Sequence, residues 1–464
     1  MAAPAPSAIA GRRATMKPTL PSLWALSAMA LPLAFVSLPL YVLLPNRYAA
    51  QMGVSLASIG ALLLAVRALD AVLDPWLGQQ CDRWFARGTA HVWRISLGLS
   101  LALTLGFTGL WMPDVWLALM GLQPTANAVL LAAAPCLVLA YLAATGLNLT
   151  LQTWGTRLGG SAVQRSRITA WREGLGLAGV VLASVLPTVL EAHWLVSVFA
   201  VLMAIALWLW ARAANFAPHT HSGEVNAPAP HAHSELSITA SSVHAVTGSW
   251  LGPLRQTKFR ALLQVFLLNG IASAIPATLV MFFIQDLLQA PAGSEALYLG
   301  AYFLAAAVSL PLWLRVVQGV GLARAWLVGQ ALSVAVFMWA VSLGAGDLWG
   351  FAAICVLSGA ALGADLVVPG ALLTGVIQRS GDSGQAEGAY LGWWQVATKL
   401  NLALAAGLAL PLLQMFGYSA GTRSEAGLWA LSVAYGVLPC VLKLLAIWRL
   451  WAARVELWEK PHGE

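Results

Sequence analysis

The sequence predicts an all-α membrane protein of about twelve transmembrane helices, arranged as two pseudo-symmetric six-helix halves. Three observations support this prediction. Hydrophobic residues make up 59% of the 464 residues and charged residues only 9%, and the mean hydropathy is +0.77. This composition leaves too little polar surface for a soluble protein. Apolar runs of about 20 residues, the length that crosses a bilayer, recur along the chain, and a polar segment divides them into two sets.

The apolar runs follow one another with mostly short connections. Their predicted centres are Leu33, Val66, Leu103, Leu137, Val180, Leu202, Val280, Ala306, Val334, Leu357, Leu404 and Val437. Basic residues are concentrated in alternate connections, so we expect both termini and the middle segment to be cytoplasmic, in the cell inner (plasma) membrane. The net charge of +7 then reflects topology, and no basic module for nucleic-acid binding is present.

Composition also predicts the boundaries of five segments. They are a cytoplasmic N-terminal segment (1–19), an N-terminal six-helix bundle (20–212), a cytoplasmic linker rich in His, Pro, Ala and Ser (213–257), a C-terminal six-helix bundle (258–452) and a cytoplasmic tail (453–464). The two His-x-His pairs of the linker leave open whether it binds a divalent metal. The four cysteines are far apart, so they predict neither a disulfide framework nor a metal site.

The second run carries three charged residues on one helical face. Arg67, Asp70 and Asp74 are separated by three and four residues in an otherwise apolar stretch. A charge at the bilayer centre costs roughly 2.5 to 3.5 kcal/mol on insertion scales, so we expect these side chains to face the protein interior or a wet cavity. Residues in such positions usually mark an ion or substrate path.

The two acids of this run suit a reversible cation site. The carboxylates of Asp70 and Asp74 can converge on one small cation, since hard cations prefer oxygen ligands. Without the cation, their repulsion favours uptake of a proton, so sodium and protons would compete for the site. Arg67 is then expected to pair with Asp70. The alternative is a static ion-pair cluster that only fixes helix packing.

Other polar residues in the runs are few, and we expect them to meet near the bundle centre. They are Arg172 and Glu173 in the fifth run, Asp365 in the tenth and Lys399 in the eleventh. A sugar needs hydrogen-bonding groups for its hydroxyls and an aromatic face for its ring. Trp393, Trp394, Gln395 and Tyr390 are candidates for these contacts, although packing at the membrane interface is an equal alternative for the two tryptophans.

Short basic turns follow the second run of each half. The first contains Asp82 and Arg83, and the second contains Arg324. We predict that these residues form charged clasps that hold one conformation, with simple loop solvation as the alternative. We assign Arg67 and Asp365 to the same coupling and gating group.

Several motifs resemble one known family. They are LPLAFVSLPLYVLLPNRYA, VRALDAVLDPWLGQQCDR, RSRITAWREGLGL, VFLLN, GADLVVPG and LGWWQVATKL. Together they are similar to the glycoside, pentoside and hexuronide to cation symporters, a branch of the major facilitator superfamily typified by melibiose permease. The resemblance spans nearly the whole chain and implies twelve helices, alternating access and sodium- or proton-coupled uptake.

The resemblance also implies roles for individual residues. The cation-binding carboxylates of the family fall on Asp70 and Asp74, its sugar-contacting arginine on Arg172 and its eleventh-helix lysine on Lys399. Its sugar-binding acid on the first helix has no counterpart here. Its fourth-helix acid is replaced by Thr145, with Asn148 close by, and we place both with the cation site. Tyr141, Trp394 and Gln395 are placed with the substrate.

We therefore expect a non-enzymatic, cation-coupled symporter of a sugar, glycoside or related polar solute, without a cofactor and monomeric. Arg172 and Lys399 without those two acids make an anionic or amphiphilic solute a further option, since neutral Thr145 cannot replace a charge-assisted bond. The alternatives are a proton-driven exporter or lysolipid transporter of the same fold and, more remotely, a sensor or a magnesium-dependent membrane enzyme. The enzyme would need a second acidic cluster, and Asp365 stands alone.

Overall fold

The structure is a computed structural model that describes residues 20–40, 44, 47–48, 52–121, 123, 125–214, 250–291, 293–418 and 424–458. The predicted N-terminal segment and the histidine pairs of the linker lie outside the described residues. The described regular elements are helices, which confirms the predicted all-α class.

The first half of the chain contains eight described helices. They are α1 (Leu20–Ser27), α2 (Ala30–Leu38), α3 (Leu56–Ala86), α4 (Thr89–Trp111), α5 (Pro113–Leu119), α6 (Ala126–Leu158), α7 (Ala162–Val189) and α8 (Ala192–Ala214). Hydroxyl side chains begin three of them, because Ser55, Thr125 and Ser161 each accept a hydrogen bond from a backbone N–H in the first turn.

The second half contains eight further described α-helices. They are α9 (Gly252–Arg255), α10 (Thr257–Phe282), α11 (Glu295–Val320), α12 (Leu322–Ala340), α13 (Leu348–Ser380), α14 (Glu387–Met415), α15 (Glu425–Ala452) and α16 (Arg454–Leu457). A π-helical turn, Phe283–Leu287, extends α10.

The described helices reproduce the predicted pattern of apolar runs. Each of the twelve predicted centres lies inside a helix. Nine described helices are long and apolar enough to cross a membrane, namely α4, α6, α7, α8, α10 with its π-turn, α11, α12, α13 and α15. The other three predicted runs correspond to the pair α1 and α2, to α3 with its charged face, and to α14.

The helices pack as two bundles. In the first, α4 packs on α6 and α2 on α7; in the second, α11 and α12 pack on α13, and α10 packs on α15. The bundles meet mainly where α3 crosses α14 and where α7 contacts α11 and α13. Separate apolar cores centred on residues such as Phe107 and Phe283 lie within the two bundles. Residues on α3, α7, α13 and α14 therefore face the plane between the halves.

Glycines allow α3 and α14 to cross in direct backbone contact. A Cβ placed on Gly78 would lie 2.1 Å from the carbonyl oxygen of Gly388, and one placed on Gly392 would lie 2.7 Å from the carbonyl oxygen of Asp74. Small residues commonly permit such close approach of membrane helices. The crossing brings the acids of α3 against α14.

Candidate functional site

The acid pair of α3 is buried and receives a lysine from the other half. Asp70 and Asp74 are 2% and 0% exposed. The Nζ atom of Lys399, on α14, lies 2.5 Å from Oδ2 of Asp70 and 2.8 Å from Oδ1 of Asp74. Thr145 of α6 donates a hydrogen bond of 2.8 Å to Oδ1 of Asp70. Two carboxylates of one half and one ammonium of the other therefore form a single cluster, which we call the acid-pair site.

The acid-pair site has an unbalanced charge. With both carboxylates ionised and Lys399 protonated, two negative charges face one positive charge. The Oδ2 atom of Asp74 is buried and has no hydrogen-bond partner among the described residues. An unsatisfied charged oxygen in a buried position is costly. One further positive charge, carried by a proton or a small cation, would neutralise the site.

Two residues expected at the acid pair lie elsewhere. Arg67 is exposed, and the ammonium of Lys399 contacts Asp70, with which we expected Arg67 to pair. Asn148 lies one turn beyond Thr145, where its Oδ1 accepts a hydrogen bond of 2.8 Å from Gln152 and its side chain lines the central cavity. Three residues turn a side chain by about 300°, so Asn148 points about 60° away from Thr145 around the axis of α6.

A central cavity of about 390 Å³ lies between the halves. Its lining combines residues of α2, α6, α7, α10, α13 and α14. The polar and aromatic members are Ser37, Asn148, Gln152, Arg172, Glu173, Phe266, Asp365, Trp394, Gln395 and Thr398. Arg172, Glu173 and Asp365 thus meet at the bundle centre, while Lys399, next to Thr398, points to the acid-pair site. A concave site with a few convergent polar groups is typical of small-molecule binding.

Three aromatic residues of α14 lie in three different environments. Trp394 lines the cavity and stacks on Phe266 with ring centroids 3.8 Å apart. Trp393 instead stacks on Trp250 and donates a hydrogen bond of 2.8 Å to its carbonyl oxygen. Tyr390 is buried with its ring edge on Phe259.

Tyr141, expected to touch the substrate, lies within the apolar core of the first half and is 3% exposed. It lies about two helical turns before Asn148, and the described residues of α6 that line the cavity are Asn148, Leu151 and Gln152. We therefore correct the placement of Tyr141, and likewise that of Tyr390, from substrate contact to packing.

Arg172 is already paired with its sequence neighbour. Its Nε and Nη2 atoms donate hydrogen bonds of 3.0 and 2.7 Å to the same oxygen, Oε1 of Glu173. Both side chains are partly exposed, at 20% and 30%. The cavity wall therefore presents a guanidinium and a carboxylate side by side.

Asp365 belongs to a second buried charge cluster inside the C-terminal half. Its Oδ2 lies 3.1 Å from Nζ of Lys443, and its Oδ1 accepts a hydrogen bond of 2.8 Å from the indole of Trp326. Lys443, only 1% exposed, also donates to Oδ1 of Asn269 at 2.8 Å. Asp365 borders a second, mainly apolar chamber of about 300 Å³ that Tyr435 also lines. We assigned no role to Lys443 from the sequence. The signal was present, because Lys443 is the one lysine in the twelfth apolar run.

Contacts between the halves close one end of the bundle, which we call the linker end because Trp250, within the predicted linker, stacks there on Trp393 of α14. Asp82 is 3% exposed and accepts hydrogen bonds of 2.7 and 2.9 Å from the backbone N–H groups of Gly388 and Ala389. These N–H groups begin α14, so the carboxylate also meets the positive end of the helix dipole. Asp82 therefore ties α3 of one half to α14 of the other.

Ion pairs and a further hydrogen bond reinforce the closure. Arg157 of α6 lies 3.3 Å from Glu387 and 3.8 Å from Asp82. Arg165 of α7 donates a hydrogen bond of 2.8 Å to Gln378 of α13. Arg157 and Glu387 carry no recognisable pattern in the sequence, because only the crossing of α3 and α14 brings them together.

The other residues expected to form clasps lie outside this closure. Arg83, next to Asp82, is exposed, since adjacent helical residues point in different directions. Arg324 is exposed and its guanidinium lies 5.4 Å from the ring centroid of Trp458. This contact joins two elements of the C-terminal half, so it does not link the halves.

Comparisons with known proteins agree with this architecture. A family model described as "MFS/sugar transport protein" matches residues 25–456. A comparison with curated protein sequences finds no match.

Solved structures with a similar fold include transporters of different kinds. One is a bacterial homologue of the iron transporter ferroportin in an outward-facing state, with a TM-score of 0.63 and 17% identity over 92% of this chain and 98% of that one. The E. coli fucose:proton symporter FucP has a TM-score of 0.55 and 14% identity over 92% and 97% of the chains. The human organic anion transporter MFSD10 has a TM-score of 0.58 and 17% identity over 93% and 97%. At these identities the likeness establishes the fold alone.

The helical halves, the cavity between them and the family match over nearly the whole chain lead to one conclusion. The chain belongs to the MFS/sugar transport protein family and is a multi-pass membrane transporter of the major facilitator superfamily, not an enzyme.

Proposed function

We propose that the protein is a secondary active symporter that couples a sodium ion or a proton to the movement of a sugar, glycoside or related polar solute. The acid-pair site carries this proposal, because it is buried, has one negative charge in excess when both acids are ionised, and retains an unsatisfied oxygen on Asp74. It is also shared between the halves, since the acids lie on α3 and Lys399 on α14.

Coupling follows from this shared position. In the closed arrangement, Lys399 supplies one positive charge to two acids. When the halves rock apart, the acids lose part of this compensation, and binding of a cation offsets the loss. A ligand shifts a two-state equilibrium only by its differential affinity for the two states, and the acid-pair site supplies such a difference. Cation occupancy therefore biases which end of the bundle is open.

The orientation of the transporter is part of the same proposal. Basic residues such as Arg157, Arg165 and Arg379 lie at the linker end, and basic residues favour the cytoplasmic side. We place the linker end in the cytoplasm, so that the closure by Asp82 corresponds to a state sealed from the cell interior. The cytoplasmic linker and the five segment boundaries remain predictions from the sequence.

A second candidate, the proton-driven exporter or lysolipid transporter, has one specific observation in its favour. The chamber of about 300 Å³ is lined mainly by apolar side chains and shares Asp365 with the central cavity. An acyl chain would suit such a lining. A panel of solutes that includes lysolipids therefore belongs in the test.

The test is uptake by proteoliposomes under imposed sodium or proton gradients, with radiolabelled sugars, glycosides and lysolipids. Asp70→Asn and Asp74→Asn are expected to abolish gradient-driven uptake while counterflow without a gradient persists. Asp114→Asn, which alters an exposed carboxylate at the start of α5, is the matched control and is expected to behave like the wild type.

Gradient-driven uptake that survives both substitutions would refute the cation-coupling role of the pair. Counterflow by lysolipids but by no glycoside would favour the second candidate.

A further inference from the structure

The central cavity contains charged groups that are already compensated. Of the described residues that line it, three carry a formal charge, namely Arg172, Glu173 and Asp365. Arg172 is paired with Glu173 at 2.7 Å, and Asp365 is paired with Lys443 at 3.1 Å. The cavity therefore has no net charge to offer an ionic solute.

The neighbouring lysine does not change this balance. Lys399 lies beside the cavity, but its ammonium contacts Asp70 and Asp74 and is held by two carboxylates. A negatively charged substrate would have to compete with buried acids for it. The option of an anionic solute, which rested on unpaired Arg172 and Lys399, loses its basis in this arrangement.

Glu173 still has hydrogen-bonding capacity toward the cavity. Both N–H donors from Arg172 reach Oε1. Its Oε2 has no donor among the described residues, and the side chain is 30% exposed. An ionised carboxylate oxygen accepts hydroxyl groups through short, charge-assisted bonds. The adjacent guanidinium keeps further N–H groups for a second hydroxyl.

Neutral hydrogen-bonding groups surround this pair. Asn148, Gln152 and Gln395 line the same cavity, and Trp394 contributes an aromatic surface. Amides and one carboxylate–guanidinium pair match a solute with several hydroxyl groups and no charge. Such a solute satisfies these groups without leaving a buried ion unpaired.

We propose that Glu173 is the hydroxyl-accepting and specificity-determining residue of the central cavity, and that its pairing with Arg172 restricts the substrate to neutral, hydroxyl-bearing solutes. It supplies from α7 the carboxylate that α2 and α6 lack. This inference rests on the proposed transport function, but it concerns solute binding at equilibrium and not coupling.

The test is isothermal titration of the purified protein, without any ion gradient, against methyl glycosides of galactose, glucose and xylose and against galacturonate. The wild type is expected to bind at least one neutral glycoside more tightly than galacturonate. Glu173→Gln is expected to weaken that neutral glycoside by about tenfold, because a charge-assisted bond becomes a neutral one. The same substitution is expected to tighten galacturonate, because Arg172 loses its carboxylate partner.

Two further variants make the result specific. Glu191→Gln removes a carboxylate that is 80% exposed, before α8, and is expected to leave both affinities unchanged. The double variant Arg172→Gln/Glu173→Gln leaves no unpaired ion in the wall, so it also serves if the single variant misfolds. It is expected to weaken the neutral glycoside without tightening galacturonate.

The proposal is overturned if the wild type prefers galacturonate, if none of the three neutral glycosides binds, or if Glu173→Gln moves both affinities in the same direction. A change of both affinities in the same direction would indicate that Glu173 has a purely structural role. Failure of the acid-pair experiments with these affinities intact would instead refute only the coupling proposal.

Discussion

Replacement of Gly78 by alanine tests whether the crossing of α3 and α14 holds the linker end closed. The added Cβ would lie 2.1 Å from the carbonyl oxygen of Gly388, whereas ordinary contact begins at 3.4 Å, so the helices must separate by about 1.3 Å. Overpacking of this kind typically costs about 1–3 kcal/mol. If the cost falls only on the closed state, the closed-to-open ratio drops by about 5- to 150-fold.

The separation also strains the bonds that Asp82 accepts from the start of α14, which measure 2.7 and 2.9 Å. The assay is pulsed electron–electron spin resonance between labels on cysteines that replace the exposed residues Arg83 and Gln385, one on each half. We expect Gly78→Ala to move population from the short-distance to the long-distance component.

Gly60→Ala is the matched control. It adds the same methyl group to the same helix, where no atom lies within 4 Å of the new Cβ, and it makes the same change in helix propensity. Its distance distribution should match the wild type. An unchanged distribution for Gly78→Ala, or an equal shift for Gly60→Ala, would refute the reasoning.

Two further predictions follow from the cavity and the second charge cluster. Trp394→Ala is expected to weaken glycoside binding by about tenfold in isothermal titration, since aromatic faces carry much of the contact area, whereas Trp393→Ala, whose indole packs on Trp250, should leave it unchanged. Equal losses in the two variants would contradict the placement of Trp394. Asp365→Asn leaves the ammonium of Lys443 buried without a carboxylate, which costs about 3–5 kcal/mol, so its thermal unfolding temperature in detergent should fall. Adding Lys443→Met should restore it, and a double variant no more stable than the single one would show that the pair is not the cause.

The residue types of the candidate site could be predicted from the sequence better than the contacts that these residues make. The spacing of Asp70 and Asp74 places two carboxylates on one helical face, and the structure finds both buried. Their partner Lys399 lies more than 300 residues away on a different half, and periodicity along one helix carries no information about that contact. We expected Arg67 there because it is one turn away, but the structure places the ammonium of Lys399 from the opposite half against Asp70.

Sequence patterns within single helices also left undecided which charged side chains form ion pairs with one another. Arg172 and Lys399 each looked like an anchor for an anionic solute. In the structure, Arg172 is paired with Glu173, and Lys399 is paired with the two acids of the acid-pair site. Likewise, Asp365 stood alone in its run until the packing of α15 placed Lys443 beside it.

The sequence by itself determined the class of the protein, the number and position of its apolar runs, and the presence of charges that a membrane helix does not carry without a reason. These properties depend on composition and on periodicity within one segment, and the cost of a charge in hydrocarbon applies before any helix has packed. Only the tertiary structure decided which charges meet, which end of the bundle is closed and what the cavity offers to a solute. These properties depend on contacts between helices far apart in the chain, and a difference of one or two residues in helix phase is enough to change them.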